Sequence, residues 1–276
     1  MASRTDEQMT LHRPSARHTR APTNTGTLGK AIAVLDAVAR ADQPMRFRDL
    51  REAVAQPPGT LHRQVSNLIS EGLLHVNPDQ SYGLGLRLLE FAAQAWSGNR
   101  FREIAEPHLR ALHEQTGETV HLGVLRDLDV IYLDKVESRQ AVRMHSQIGN
   151  ASPCYCTGVG KAALAALTPA EARARIGRID FLRHTDNTIT DAAALEAEVA
   201  QIRTSGIAYD REEHERGIHC VAAPLWSHDR SFAAGVSVTA PSYRIPMDRL
   251  AMWEDAVRAA ARAIIADIEI RLGPRA

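Results

Sequence analysis

Cysteine is scarce: 276 residues hold three, Cys154, Cys156 and Cys220. So small and odd a number in a chain this long excludes a disulfide framework and fits a reducing cytoplasm. Aromatic residues make up only 5%. Neither sign of charge is in excess, with 33 basic and 33 acidic side chains. That balance excludes a strongly basic protein that coats nucleic acid, but not a specific reader with a local basic face. No apolar run approaches the roughly 20 residues that span a bilayer, so no membrane partner is expected. Residues 1–25 carry Arg4, Arg13, Arg17 and Arg20 without an apolar stretch, which argues against a secretory signal.

What is there is an apolar fraction of 44%, enough for packed cores in a length that suits one large domain or two ordinary ones. Residues 1–25 read as a disordered tail, either a solvated leader or an arm that touches DNA. Apolar positions Leu28, Ala31, Ile32, Leu35, Val38 and Ala39 recur at helical spacing. A short second helix is expected over 47–54. The turn Gln56–Pro57–Pro58–Gly59 delivers a third, ending near Ser70 before Gly72. Its apolar side is Leu61, Val65, Leu68 and Ile69; the other presents Gly59, Arg63, Ser66, Asn67 and Ser70, flanked by Thr60 and His62. Residues 73–76 and 81–84, joined by Asn77–Pro78–Asp79–Gln80, read as a hairpin. Three short helices and a hairpin make a winged helix-turn-helix pattern.

A helix over 86–97 is apolar on two sides, with Leu86, Leu89, Ala93 and Trp96 on one and Leu88, Ala92 and Ala95 on the other. It is either a core helix or a linker helix that also packs on a partner subunit. Beyond it, a helix is expected over 100–117 and strands over 119–125, 130–136 and 141–148. Helices begin near Thr157 and Pro169 and cover 192–203. Strands cover 207–209, 218–225 and 233–239, and one long helix follows Pro246. The fold class is therefore α+β, with a largely antiparallel sheet and helices against it.

Enzyme motifs fail on specifics. Gly158–Val159–Gly160–Lys161 lacks the earlier glycine and the following Ser or Thr of a P-loop, and neither G-x-S-x-G nor H-E-x-x-H occurs. Cys154-x-Cys156 lacks the C-x₂-C spacing of a zinc ribbon and has no second pair. The run from Asp210 to Glu215 reads as a solvated charged loop more readily than as a metal ligand set. No metal and no cofactor are expected.

Several motifs together carry a resemblance. Thr27–Leu28–Gly29–Lys30–Ala31–Ile32, Thr60–Leu61–His62–Arg63, Leu68–Ile69–Ser70–Glu71–Gly72–Leu73 and Tyr82–Gly83–Leu84–Gly85 stand in the first part. Pro153–Cys154–Tyr155–Cys156–Thr157–Gly158–Val159–Gly160–Lys161–Ala162, Gly206 to Glu213 and Gly217 to Pro224 stand in the second. In order and spacing they resemble the IclR-type bacterial transcriptional regulators over about residues 26–270. The resemblance implies a tail over 1–25, a winged helix-turn-helix domain over 26–85 and a linker or dimerisation helix over 86–98. It further implies a C-terminal α/β, GAF-like effector-binding domain over 99–273. Operator DNA, a small organic-acid effector and a homodimer or dimer of dimers are the implied partners, and no catalytic site is implied.

In such a domain the third helix enters the major groove. Arg63 can donate twice to a guanine, and Asn67 can pair with adenine. Thr60, His62 and Gln64 are in reach of bases or phosphates, and Arg46, Arg48 and Arg51 suit phosphates. In the second domain the helix start at Thr157–Gly158–Val159–Gly160 offers backbone N–H groups to an anion. The resemblance puts Asp210 and Cys220 among the ligand contacts. Ser237 and Thr239 alternate with Val236 and Val238, so both hydroxyls face one side. Met144, Ile148 and Tyr155 are expected walls. Asp210 is expected to accept from ligand hydroxyls, which suits a hydroxy or keto acid, sugar-derived or aromatic.

Overall fold

Residues 26–141, 144, 146–226 and 232–272 are described in the computed structural model; the expected tail over 1–25 lies outside them. The chain divides into two units between Ser97 and Gly98.

In the first unit the apolar sides of α1 (Gly26–Arg40), α2 (Phe47–Ala53) and α3 (Pro58–Ser70) converge on Val34, Leu50, Val54, Leu61, Val65, Leu68 and Leu74. Pro58 occupies the first turn of α3, where its missing N–H costs nothing. Gly72, at φ 68°, lets the chain leave the helix. It enters a hairpin of β1 (Leu74–Val76) and β2 (Tyr82–Leu84), with Leu74 opposite Leu84. The Tyr82 N–H donates to the Met45 carbonyl at 2.8 Å, adding a third short strand segment. Asp79 closes the hairpin turn by accepting from the Ser81 N–H at 3.1 Å and its hydroxyl at 2.6 Å. The result is a winged helix-turn-helix. After it, α4 (Arg87–Ser97) buries none of its residues, and Leu89 is 66% exposed. The core-helix reading of this segment therefore fails within one chain.

The second unit is built on a six-stranded antiparallel sheet. Its strands are β3 (Thr119–Arg126), β4 (Asp129–Val136), β5 (Ala151–Pro153), β6 (Ala208–Arg211), β7 (Ile218–Trp226) and β8 (Ala233–Pro241). They lie in the order β5-β4-β3-β8-β7-β6. Strand alternation sorts the side chains. Val221, Ala223, Leu225, Val236 and Val238 pack with α5 (Arg100–Thr116) and α10 (Glu254–Leu272) on one face. Cys220 and Ala222 look to the other, toward α6 (Gly158–Ala166), α7 (Pro169–Ile176) and α8 (Ala192–Ser205).

Two expectations are corrected. No strand forms over 141–148 among the described residues. Residues 147–150 instead turn back, with Gly149 at φ 86° donating its N–H to the Tyr132 carbonyl at 2.8 Å, and pairing resumes only at β5. The long last helix is two, α9 (Met247–Ala251) and α10, because the chain breaks at Met252 and Trp253.

Candidate functional site

The first unit presents a polar face. On α3, His62, Arg63, Ser66, Asn67 and Ser70 are exposed and Thr60 is half-buried. Nearby, Arg46, Arg48 and Arg51 are also exposed. The Arg46 N–H is tied to the Asp49 carboxylate at 2.8 Å, fixing the start of α2, and the Phe47 ring meets His62 edge-on at 5.9 Å. Gln64 is a correction. It stands about 100° around the helix from Arg63, and at 1% exposure it faces the core, its amide nitrogen without a partner among the described residues. It is out of reach of a nucleic acid.

In the second unit, cross-strand register assembles the site. Asp210 pairs with Cys220, Cys220 with Thr239, and Thr239 with Thr119. Directly opposed residues on antiparallel strands point to the same face, so these four form one row. One pleat away, Ala222, Ser237, His121 and Lys135 form a parallel row. Over these rows stands the start of α6. Thr157 caps it, its hydroxyl oxygen accepting from the Gly160 N–H at 3.2 Å. A side chain on Gly158 would lie 2.7 Å from Cys220 Sγ, so glycine is what lets the helix start close on the sheet.

Electrostatics follows from burial. The Asp210 carboxyl is pushed up to about 8, first by desolvation and then by the Glu213 charge, so near neutral pH it carries a proton. One of its oxygens accepts from the Glu213 N–H at 2.7 Å, and the protonated carboxyl also offers a donor. Burial pushes the Cys220 thiol up to about 12. His121 is held down to about 3 by desolvation and then by Lys135. Its ring lies 2.7 Å from the Ser146 hydroxyl, 3.3 Å from that of Thr239, and 5.0 Å centre to centre from Tyr132. Ser237, 1% exposed, and Thr239 both turn their hydroxyls to the Cys220 thiol.

The structure thus brings together Gly158, Asp210, Cys220, Ser237 and Thr239, with Val159 packed over Gly123 and Gly235. Met144 is held near by Lys135, whose ammonium donates to the Met144 and Ser146 carbonyls at 3.0 and 2.8 Å. Two expected walls are corrected. Ile148 sits on the 147–150 turn and is 45% exposed. Tyr155 is turned onto the 181–184 segment, where its hydroxyl donates to the Leu182 carbonyl at 2.8 Å and accepts from the Leu182 N–H at 3.0 Å. His121, Tyr132 and Lys135 were missed by sequence reasoning. Their alternation on β3 and β4 was the only available signal.

Family models match both units: the IclR helix-turn-helix domain over residues 27–78 and the bacterial transcriptional regulator IclR C-terminal domain over 93–266. The chain belongs to the IclR family of bacterial transcriptional regulators. It is a DNA-binding transcriptional regulator. Among its relatives is the HTH-type transcriptional regulator BhcR of Paracoccus denitrificans, 32% identical over 86% of this chain and 85% of that one. The acetate operon repressor of Salmonella typhimurium is 28% identical over 81% of this chain and 83% of its own. The crystal structure of Thermotoga maritima IclR superposes with a TM-score of 0.66 at 29% identity, covering 90% of this chain and 99% of that one. These relatives carry the names of regulators, and the IclR fold accounts for both units.

Proposed function

We propose that this IclR-family regulator senses a small organic acid and controls an operon for that acid's catabolism. The carrying observation is the set of buried polar side chains, Asp210, Cys220, Ser237 and Thr239, gathered on one sheet face opposite the start of α6. So many buried polar groups on one face suit a polar guest, whose oxygens would share their hydrogen bonds. The N–H groups at the start of α6 would take the carboxylate. The Asp210 proton would be donated to it or to a neighbouring keto or hydroxyl oxygen. A hydroxy or keto acid, sugar-derived or aromatic, suits that set. The name of the Salmonella relative, an acetate operon repressor, is consistent with the acid class.

On the DNA side, Arg63 and Asn67 would read bases while Thr60, His62, Arg46, Arg48 and Arg51 position the helix on phosphates. One such helix is a small interface, so a dimer on a repeated site is required for useful specificity. The apolar surface that α4 leaves exposed supports a subunit contact. The reading contains no catalytic step. Three unpaired, buried thiols suit a reducing cytoplasm.

A thermal-shift screen of small organic acids tests the effector reading. An acid at 100 times its Kd should stabilise the fold by about 2.7 kcal/mol. Asp210→Ala should remove that shift while still melting cooperatively. An unchanged response in Asp210→Ala would sink the site assignment.

A further inference from the structure

The hairpin beside α3 has one side chain able to carry positive charge. Residues 73–85 hold no lysine and no arginine; His75 is their single basic residue and Asp79 their single acid. His75, on β1, stands opposite Gly83 on β2. A side chain at Gly83 would lie 2.7 Å from His75 Nε2, so glycine is what lets the ring lie across the hairpin.

Hydrogen-bond direction assigns the ring's protons. Ser81 donates its N–H and its hydroxyl to one Asp79 oxygen, at 3.1 and 2.6 Å. Those bonds, the hydroxyl's first, hold the Asp79 carboxyl below the usual carboxylate range, so it stays an acceptor. With its proton given to Asp79, the Ser81 oxygen can only accept, and the Asn77 amide nitrogen donates to it at 2.9 Å. Asn77 therefore turns Oδ1 to His75 Nε2, at 3.0 Å. On the other side, His75 Nδ1 meets the Leu84 carbonyl at 3.1 Å. Two acceptors face the ring, and only an imidazolium donates from both nitrogens. A neutral ring would set a lone pair against an oxygen and break the relay that runs from Leu84 to Asp79. Around that relay, Asp42 and Tyr82 line the groove beside Asn77 and Gly83, and Arg46 attracts the Asp79 charge. β1 packs on α3, so a duplex entered by α3 would carry a phosphate strand past the hairpin.

We propose that His75, as an imidazolium, is the positive charge that the wing offers to the DNA backbone, and that loss of its proton weakens the hold on the operator. It acts by charge and by fixing the hairpin, because both ring nitrogens are already donating. The proposal rests on the reading that α3 enters the groove.

The probe is an operator selected by the parent protein from a random duplex pool. Its affinity is measured against salt at about pH 6 and about pH 8.5, on either side of the free imidazole value of about 6.5. At the lower pH the parent should bind several-fold more tightly than His75→Gln, with a salt slope steeper by about 0.9, the share of one phosphate. At the higher pH both differences should shrink toward nothing. His75→Lys, which keeps a charge without the two-way bond, should restore the slope at both. A histidine that only supported the hairpin would give neither the rescue nor the pH dependence. Equal slopes in the parent and His75→Gln at the lower pH, or a gap of the same size at both, overturn the proposal. Should His75→Gln melt early, His62→Gln decides, since His62 is the exposed imidazole on α3. The parent's extra slope at the lower pH should persist in it, and its disappearance overturns the proposal. Arg63→Ala on the same operator separates the two readings. If it loses binding while His75→Gln does not, only the wing contact fails; if it binds as the parent does, the α3 reading fails first and takes the wing contact with it.

Discussion

The two units place their candidate functional side chains in opposite environments. On α3 the residues proposed to read DNA stand in water: Arg63 and Asn67 are exposed, and the core lies behind them at Leu61, Val65 and Leu68. On the sheet face of the second unit, Asp210, Cys220, Ser237, Thr239 and His121 are all buried. A duplex is larger than the domain that reads it and brings its own solvated surface, so its contacts must protrude. A small acid has to be surrounded, so its contacts belong to the interior. Function and stability should therefore separate on α3 and be entangled around α6.

The largest expected effect lies on the entangled side. Lys161, fully buried in α6, donates to both carboxylate oxygens of Glu213 at 2.7 Å and to Glu198 at 3.1 Å. Lys161→Met leaves Glu213 buried without its cation, while Glu198 keeps Arg211 at 3.5 Å, and loss of one partner of a buried pair costs about 3–5 kcal/mol. Calorimetry should show the second unit melting earlier while the first keeps its own transition. Arg63→Ala should do the reverse. Affinity for the specific operator should fall by about 1–3 kcal/mol, with relaxed choice at one base pair. Its melting temperature should stay that of the parent, as judged by gel shift and melting on the same preparation. An Arg63→Ala protein that bound operator as the parent does would break the contrast.

Acid titration sharpens it further. His121 takes a proton only near 3 in the folded chain, against 6.5 for a free imidazole. The stability held in its neutral ring is complete above about 6.5 and is lost as pH falls toward 3, by at most about 1.4 kcal/mol per pH unit. Between about pH 7 and 5, urea midpoints should fall more steeply in the parent than in His121→Asn. The smallest effect returns to α3. Gln64→Leu removes a buried amide with an unpartnered nitrogen and should stabilise by under about 1 kcal/mol or be neutral. Operator affinity should not move, because Gln64 points inward. A loss of binding in that variant would return it to the reading face.

Helical periodicity and turn residues made the first unit legible almost to the residue. Pro58 and Gly72 bracket α3 where the sequence said they would, because local chemistry sets helix ends. Gln64 was misread because it stands at the edge of the polar arc, where sequence spacing alone does not say which way the core lies. The row of Asp210, Cys220 and Thr239 was reached only through family resemblance and strand alternation. Strand register, which assembles it, is a tertiary property. Tyr155 was misassigned for the same reason, since the 181–184 segment that captures its hydroxyl is distant in sequence.

In the proposed effector site, the row from Asp210 to Thr119 bears on ligand choice. Its members sit on adjacent strands, so their separations are multiples of one interstrand spacing, about 4.8 Å. The floor is a ruler with fixed graduations. Polar atoms on a compatible guest must fall on those marks, and a change of guest is accommodated by swapping the tips that stand on them while the frame keeps its gauge.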